Sequence, residues 1–334
     1  MPAPRLLTCV VVVVSCFLVG CGEDDQAGSG GVQRLKVVAT TTQAADLARN
    51  VGGGHVDVVG LLPPNADPHG YEVRPRDIDA LGDAALVVRS GGEIDEWLAE
   101  AIESSGTKAP VVTLIDSVET IEGGAHHHED EEHAGEAEHG DEDDAGKEET
   151  DAHWWQDPRN GILATAALGE ALARADPERA TQYRSQTDRY TKRLRAIDTA
   201  IAACWQNVPA AQRTLVTTHD ALGYYANRYD LEVIGTVIPS LSTAGQPSAG
   251  ETAELVEEIE HEDVQAIFAE SSVNTKVEQA IARETGAKVG RALWADSLGP
   301  ASSDGATYLQ SLASNTRALI DGLTAGKVAC QLPS

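Results

Sequence analysis

Short, continuous apolar runs alternate along this chain with longer segments whose apolar positions recur at helical spacing. The runs are LKVVATTT (35–42), HVDVVGLL (55–62), ALVVRSG (85–91) and PVVTLID (110–116). Helical periodicity follows the first three, near 43–51, 75–82 and 93–105. Repeated strand-then-helix units predict a mostly parallel sheet covered by helices. An Ala-rich periodic segment from about 160 to 205 then predicts a long helix, with a soft interruption at Asp176-Pro177. Proline is tolerated in a helix's first turn, so a break and restart there fits as well as one bent helix. The alternation resumes with RTLVTTH (213–219), LEVIGTVI (231–238), VQAIFAE (264–270) and AKVGRAL (287–293). The expected architecture is α/β: two βα lobes, residues 34–158 and 208–334, joined by a rigid linker helix over 159–207.

The pattern fails once, over residues 122–151. Fourteen acidic residues stand there against the single Lys147, which accounts for much of the formal charge of −28. Five of the chain's ten histidines fall there too: His126, His127, His128, His133 and His139. Almost no apolar residue separates them, so the stretch reads as a solvated loop that cannot build a core. Imidazoles among carboxylates offer low-affinity ligands to divalent cations, although a plain acidic linker fits the same composition. So acidic a chain is not expected to bind nucleic acid.

The first residues address the compartment. Arg5 precedes an apolar stretch, 6–19, that is short for a bilayer span, as in a signal peptide over 1–20. Leu18-Val19-Gly20-Cys21 resembles the lipobox of bacterial lipoproteins, which implies cleavage before Cys21 and lipid on its sulfur. An ordinary signal peptide or membrane anchor is the other reading. Residues 21–33 then serve as a flexible tether. Cys9 and Cys16 leave with the signal, so Cys204 and Cys330 alone stay in the mature fold. In an oxidising compartment they are expected to form one disulfide, with two buried thiols as the alternative.

The remaining histidines gain meaning from their places. His69 follows HVDVVGLL, His153 follows PVVTLID after the acidic stretch, and His219 ends RTLVTTH. Asp296 follows AKVGRAL. All four lie past carboxyl ends of expected strands, where open α/β sheets bind ligands. Three imidazoles and a carboxylate make a four-coordinate set suited to Zn²⁺, whereas Mn²⁺ prefers oxygen. Glu270, at another strand end, is expected behind the ligands as a hydrogen-bond acceptor rather than as a fifth ligand. His55 and His261 lack such placement and are expected to be ordinary polar residues. Trp154 and Trp155 are expected to pack beside the site.

The segments DPHGYE, HWWQDP, THDALGYYA and ADSLGP resemble, in order, the four ligand segments of substrate-binding lipoproteins of metal-ion ABC transporters. The resemblance covers residues 35 to 326 and implies His69, His153, His219 and Asp296 as ligands. It also implies two α/β lobes joined by a long helix, with the metal in the cleft between them. In that family the third segment carries His in zinc-type members and usually Glu in manganese-type members; here it is His219. Zinc-type members commonly carry a His- and acid-rich loop before the second ligand, but its sequence is not fixed, so the five loop histidines inherit no individual role.

The expected function is capture of Zn²⁺ outside the cytoplasm by a lipid-anchored monomer and delivery to an ABC permease. A manganese or other divalent-metal binder of the same class is the nearest alternative, and a surface adhesin or storage lipoprotein a further one. A zinc hydrolase would keep an open position for water, which Asp296 fills, and no H-E-x-x-H or G-x-S-x-G motif is present. No enzyme activity is expected.

Overall fold

Continuous apolar runs, whose successive side chains point to opposite faces, let each of two sheets bury both faces. The computed structural model describes residues 34–123 and 149–333. The first sheet contains β1 (Leu35–Ala39), β2 (Val56–Gly60), β3 (Leu86–Arg89) and β4 (Val111–Thr113), all parallel, in the order β2-β1-β3-β4. Helices α1 (Thr42–Gly52), α2 (Pro75–Gly82) and α3 (Leu98–Ser105) connect these strands. Two short antiparallel strands follow, β5 (Glu122–Gly123) and β6 (Glu149–Thr150). After helices α4 (Pro158–Ala175) and α5 (Ala180–Trp205) comes the second sheet. It comprises β7 (Thr214–Thr217), β8 (Glu232–Thr236), β9 (Ala266–Phe268) and β10 (Lys288–Val289), parallel, in the order β10-β9-β7-β8. Helices α6 (Gly223–Tyr229), α7 (Ala249–His261) and α8 (Lys276–Thr285) connect its strands, and α9 (Tyr308–Thr324) closes the fold.

Read from its other edge, the second sheet runs β8-β7-β9-β10, the same order as the first. In each, the chain steps outward to the second strand and then crosses back to the third. That reversal opens a crevice at the carboxyl ends of the central pair.

Alternate side chains on each sheet join different cores. Val37, Leu86, Val88, Leu215, Ala266 and Phe268 all enter one continuous core shared by both sheets. Helices α1, α4, α5, α6 and α9 fill that core with residues such as Leu47, Leu168, Leu194, Tyr225 and Leu319. Val38 and Val87 face the outer helices α2 and α3, while Val216 and Ile267 face α7 and α8. A shared helical layer therefore fuses the two lobes.

The expected linker helix over 159–207 is two helices. α4 ends at Ala175, and Asp176 turns the chain by accepting hydrogen bonds from Arg179 Nη1 and Tyr183 Oη. α5 then runs on for 26 residues. A Cβ at Gly169 would stand 2.1 Å from Thr187 Oγ1, so α4 and α5 pack closer than any larger residue allows. The apolar runs overshoot the strands because polar residues at their carboxyl ends leave the ladder for other work. Thr41, for example, caps α1 by accepting from Ala44 N. The signal segment 1–20, Cys21 with its tether, and His126, His127, His128, His133 and His139 lie outside the described residues. No helix among the described residues is long and apolar enough to cross a membrane.

Cys204, at the end of α5, is bonded to Cys330 in the C-terminal tail across a sequence separation of 126 residues. Closing so long a loop restricts the unfolded chain most. Replacing Cys330 by serine is expected to lower unfolding free energy by about 2–5 kcal/mol, measured by urea unfolding without reductant. An unchanged midpoint would show that the bridge does not hold the fold.

Candidate metal centre

Strand register builds one half of the centre. β7 and β9 are neighbours, with Thr217 opposite Phe268, so residues two further on, His219 and Glu270, emerge side by side. Glu270 Oε1 accepts from His219 N at 3.2 Å and lies 2.6 Å from its Nδ1. A parallel bridge from Glu270 to Leu293 carries the sheet edge toward Asp296. The other half starts after β6. His153 opens a 3-10 turn over Trp154–Gln156, which leads into the Asp157 cap and Pro158 that start α4. From this turn Trp155 Nε1 and Gln156 Nε2 both donate to Ala295 O at 2.8 Å. The turn bearing His153 is thereby tied to the residue before Asp296. His69 arrives on the long loop between β2 and α2.

The four side chains converge. His153, His219 and Asp296 are wholly buried, and the His69 side chain is 4% exposed. Asp296 Oδ2 lies 3.5 Å from His69 Nε2 and 3.4 Å from His219 Nε2, and Asp296 Oδ1 lies 3.4 Å from His153 Nε2. The Nε2 atoms of His153 and His219 are 3.3 Å apart. Among the described residues neither Asp296 oxygen nor His69 Nε2 finds a hydrogen-bond partner. Ligands at about 2.0–2.1 Å on a tetrahedral metal are separated by about 3.3–3.4 Å. The spacings of 3.3–3.5 Å lie close to those values, with the carboxylate facing the imidazoles through both of its oxygens.

The carboxylates behind the imidazoles set which nitrogen faces inward. Asp151 Oδ1 lies 2.7 Å from His153 Nδ1 and accepts from His153 N, as Glu270 does for His219. An Nδ1–H donated outward leaves the Nε2 lone pair for a cation. Burial alone would lower both imidazole pKa values. Asp151 and Asp296 overcome it and push His153 well above the ordinary value, and Glu270 and Asp296 push His219 up. Burial would raise Asp296, yet His219, His153 and His69 hold it well below the usual carboxylate range. Glu270 stays raised by burial despite His219.

His69, His153, His219 and Asp296, expected from sequence, thus lie together, each offering an atom within 4.8 Å of the others. Glu270 sits behind His219. Sequence reasoning missed Asp151, which reads as the last residue of the acidic stretch; its signal was its place two residues before His153. Trp154 and Trp155 are buried, with Trp154 Nε1 donating to Ser90 Oγ. His55 packs edge-on against Tyr183. His261 is exposed, pairs with Glu262 and lies near Glu258, away from the centre.

Residues 37–322 match the family described as zinc-uptake complex component A, periplasmic. The chain is 30% identical over 311 residues to the manganese-binding lipoprotein MntA of Bacillus subtilis, covering 90% of this chain and 94% of MntA. It is 27% identical over 326 residues to the zinc-binding protein TroA of Treponema pallidum, covering 96% and 98%. The solved structure of that periplasmic zinc-binding protein superposes with a TM-score of 0.75 at 26% identity, covering 87% of this chain and 99% of TroA.

The raised imidazole pKa values have a signed consequence. In the metal-free protein, stability from charged His153 and His219 is present below their unfolded value of about 6.5 and is lost as pH rises through the higher folded values. A cation competes with those protons, so metal uptake is expected to release protons at neutral pH and to tighten as pH rises. Calorimetric titration in two buffers of different ionisation enthalpy reads the release; identical heats would refute it. Asp151→Asn and Glu270→Gln are each expected to weaken metal binding by about 10–100-fold. Competition titration with a chromophoric chelator checks this, and unchanged affinity would show that these carboxylates do not orient the imidazoles.

Proposed function

The chain belongs to the periplasmic zinc-uptake complex component A family, and from that premise we propose that it captures Zn²⁺ outside the cytoplasm and hands it to an ABC permease. At the coarser level it is a metal-binding substrate-binding protein of the ABC-transporter class. The observation that supports the choice of zinc is the convergence of three imidazoles and one carboxylate, with contacts of 3.3–3.5 Å, in a buried site. Three nitrogens to one carboxylate favour zinc over the harder Mn²⁺. The four donors close the coordination sphere, which suits holding and releasing an ion rather than activating water.

Manganese is the second reading. Both Asp296 oxygens face the histidines, so a bidentate carboxylate would add a fifth donor and more oxygen character. MntA and TroA, named for manganese and zinc respectively, match at similar identity.

Lipid on Cys21 would keep the protein beside its permease, and a monomer suffices because one chain supplies every donor. The histidines of the acidic stretch would gather zinc weakly close to the centre, raising its local concentration.

Titration of the full chain with Zn²⁺ and Mn²⁺ in competition tests this reading. One tight zinc equivalent is expected, bound more strongly than manganese, surviving deletion of residues 125–150 and weakened at least 10-fold by Asp296→Ala. Tighter manganese would favour the second reading. Loss of the tight site with the deletion would show that the ligands are wrongly assigned.

A further inference from the structure

His69 is held differently from the other two imidazoles. His153 and His219 each have a carboxylate at hydrogen-bond distance from Nδ1, whereas Glu93 acts on His69 through its charge alone. His69 also lies nine residues beyond the end of β2, whereas His219 lies two beyond β7. Its position must come from what grips its loop.

That grip comes from the second half of the chain. Asn65, at a φ of 58°, donates its backbone N–H to Leu298 O at 2.8 Å and its Nδ2 to Ser271 O at 3.1 Å. These contacts seat the foot of the loop on the turns that carry Asp296 and Glu270. Further along, the Asp67 carboxylate divides its oxygens. Oδ1 accepts from His69 N at 2.9 Å, and Oδ2 accepts from Thr243 Oγ1 at 2.6 Å. Thr243 lies on the irregular connection between β8 and α7, braced by Ser242 N on Ser240 Oγ and by Asp220 N on Ser240 O, next to His219. One half-buried carboxylate therefore joins the backbone of one ligand to a loop anchored beside another.

We propose that the Asp67–Thr243 hydrogen bond is a latch that holds His69 on the metal and governs how fast the metal leaves. The proposal rests on the reading that metal sits among His69, His153, His219 and Asp296. Asp67 and Thr243 are positioning residues: neither belongs to the four donors. With the latch broken, the loop pivots about Asn65 and lifts His69 away, leaving three donors and a path for water. Such local opening needs no separation of the lobes. Breaking the latch is expected to show mainly in the rate of release, where affinity differences between closely related complexes usually lie.

Zinc release from the full chain into excess chromophoric chelator, followed by stopped flow, tests the latch. Thr243→Val, which keeps shape and removes the hydroxyl, is expected to release zinc about 10-fold faster. Thr243→Ser, which restores a donor, is expected to release it within about twofold of wild type. In an Asp67→Ala background, Thr243→Val is expected to add less than about twofold, because the partner is already gone. The metal-free melting temperature of each Thr243 variant is expected to fall by no more than the few degrees that one hydrogen bond supplies, whereas a general loss of packing would lower it further. Release from Thr243→Val at the wild-type rate, or an equally large effect in the Asp67→Ala background, overturns the latch. Should Thr243→Val not fold, Thr243→Ala carries the same comparison. Wild-type protein that binds no zinc, or binds it as well after His153→Ala, overturns the site assignment itself, and the latch with it; normal binding with unaltered release overturns the latch alone.

Discussion

Asp296 is a carboxylate with no access to water and no hydrogen bond among the described residues. A buried charge of that kind costs several kcal/mol unless positive charge faces it closely. Three imidazoles surround it, and they can answer its charge by holding protons or by holding a cation between themselves and the carboxylate. Either answer needs four side chains from distant parts of the chain kept within about half an ångström of their places. The fold is organised around meeting that demand. Two sheets of the same strand order present their switch-point crevices to one another, and the shared helical core stops them drifting apart. Trp155 and Gln156, both reaching Ala295 O, tie the two halves where they meet.

This rigidity divides the work unequally among the ligands. His153, His219 and Asp296 stand on turns tied directly to strands or to the cap of α4, and two have carboxylates behind them. His69 belongs by sequence to the first sheet, yet its loop is hydrogen-bonded to the second half of the chain. The ligand with the least local support is thus the one whose contacts cross between the halves. His69 is therefore the side chain that moves with least disturbance, since moving any of the other three disturbs a sheet or the core.

Much of this was legible in the sequence, for physical reasons that can be named. Pro75 to Gly82 forms the expected helix because Pro opens it and Asp77 closes a capping box with Arg74. The four donors were legible because carboxyl ends of parallel strands are where α/β sheets gather ligands. Less was legible where polar residues serve two neighbourhoods at once. Asp151 looked like one more acid in an acidic stretch, and only the fold shows its oxygen behind His153. Asp67 carries no signal of its role in the sequence, because its partner lies 176 residues away. The break at Asp176 was visible, but not the direction of the chain after it, because close approach at Gly169 depends on a residue from the next helix.

The short β5–β6 pair has a consequence for the buried centre. Glu122 pairs with Thr150 and Gly123 with Glu149, so points far apart in sequence lie side by side. Immediately beyond β6, Asp151 and His153 are held by Tyr224 and Trp155. Doubling the length of any flexible loop adds only about 0.6 kcal/mol of closure entropy. With its two ends paired in this way, the chain between residues 123 and 149 runs between fixed points whatever its length. A change in that span therefore need not reach the buried pocket.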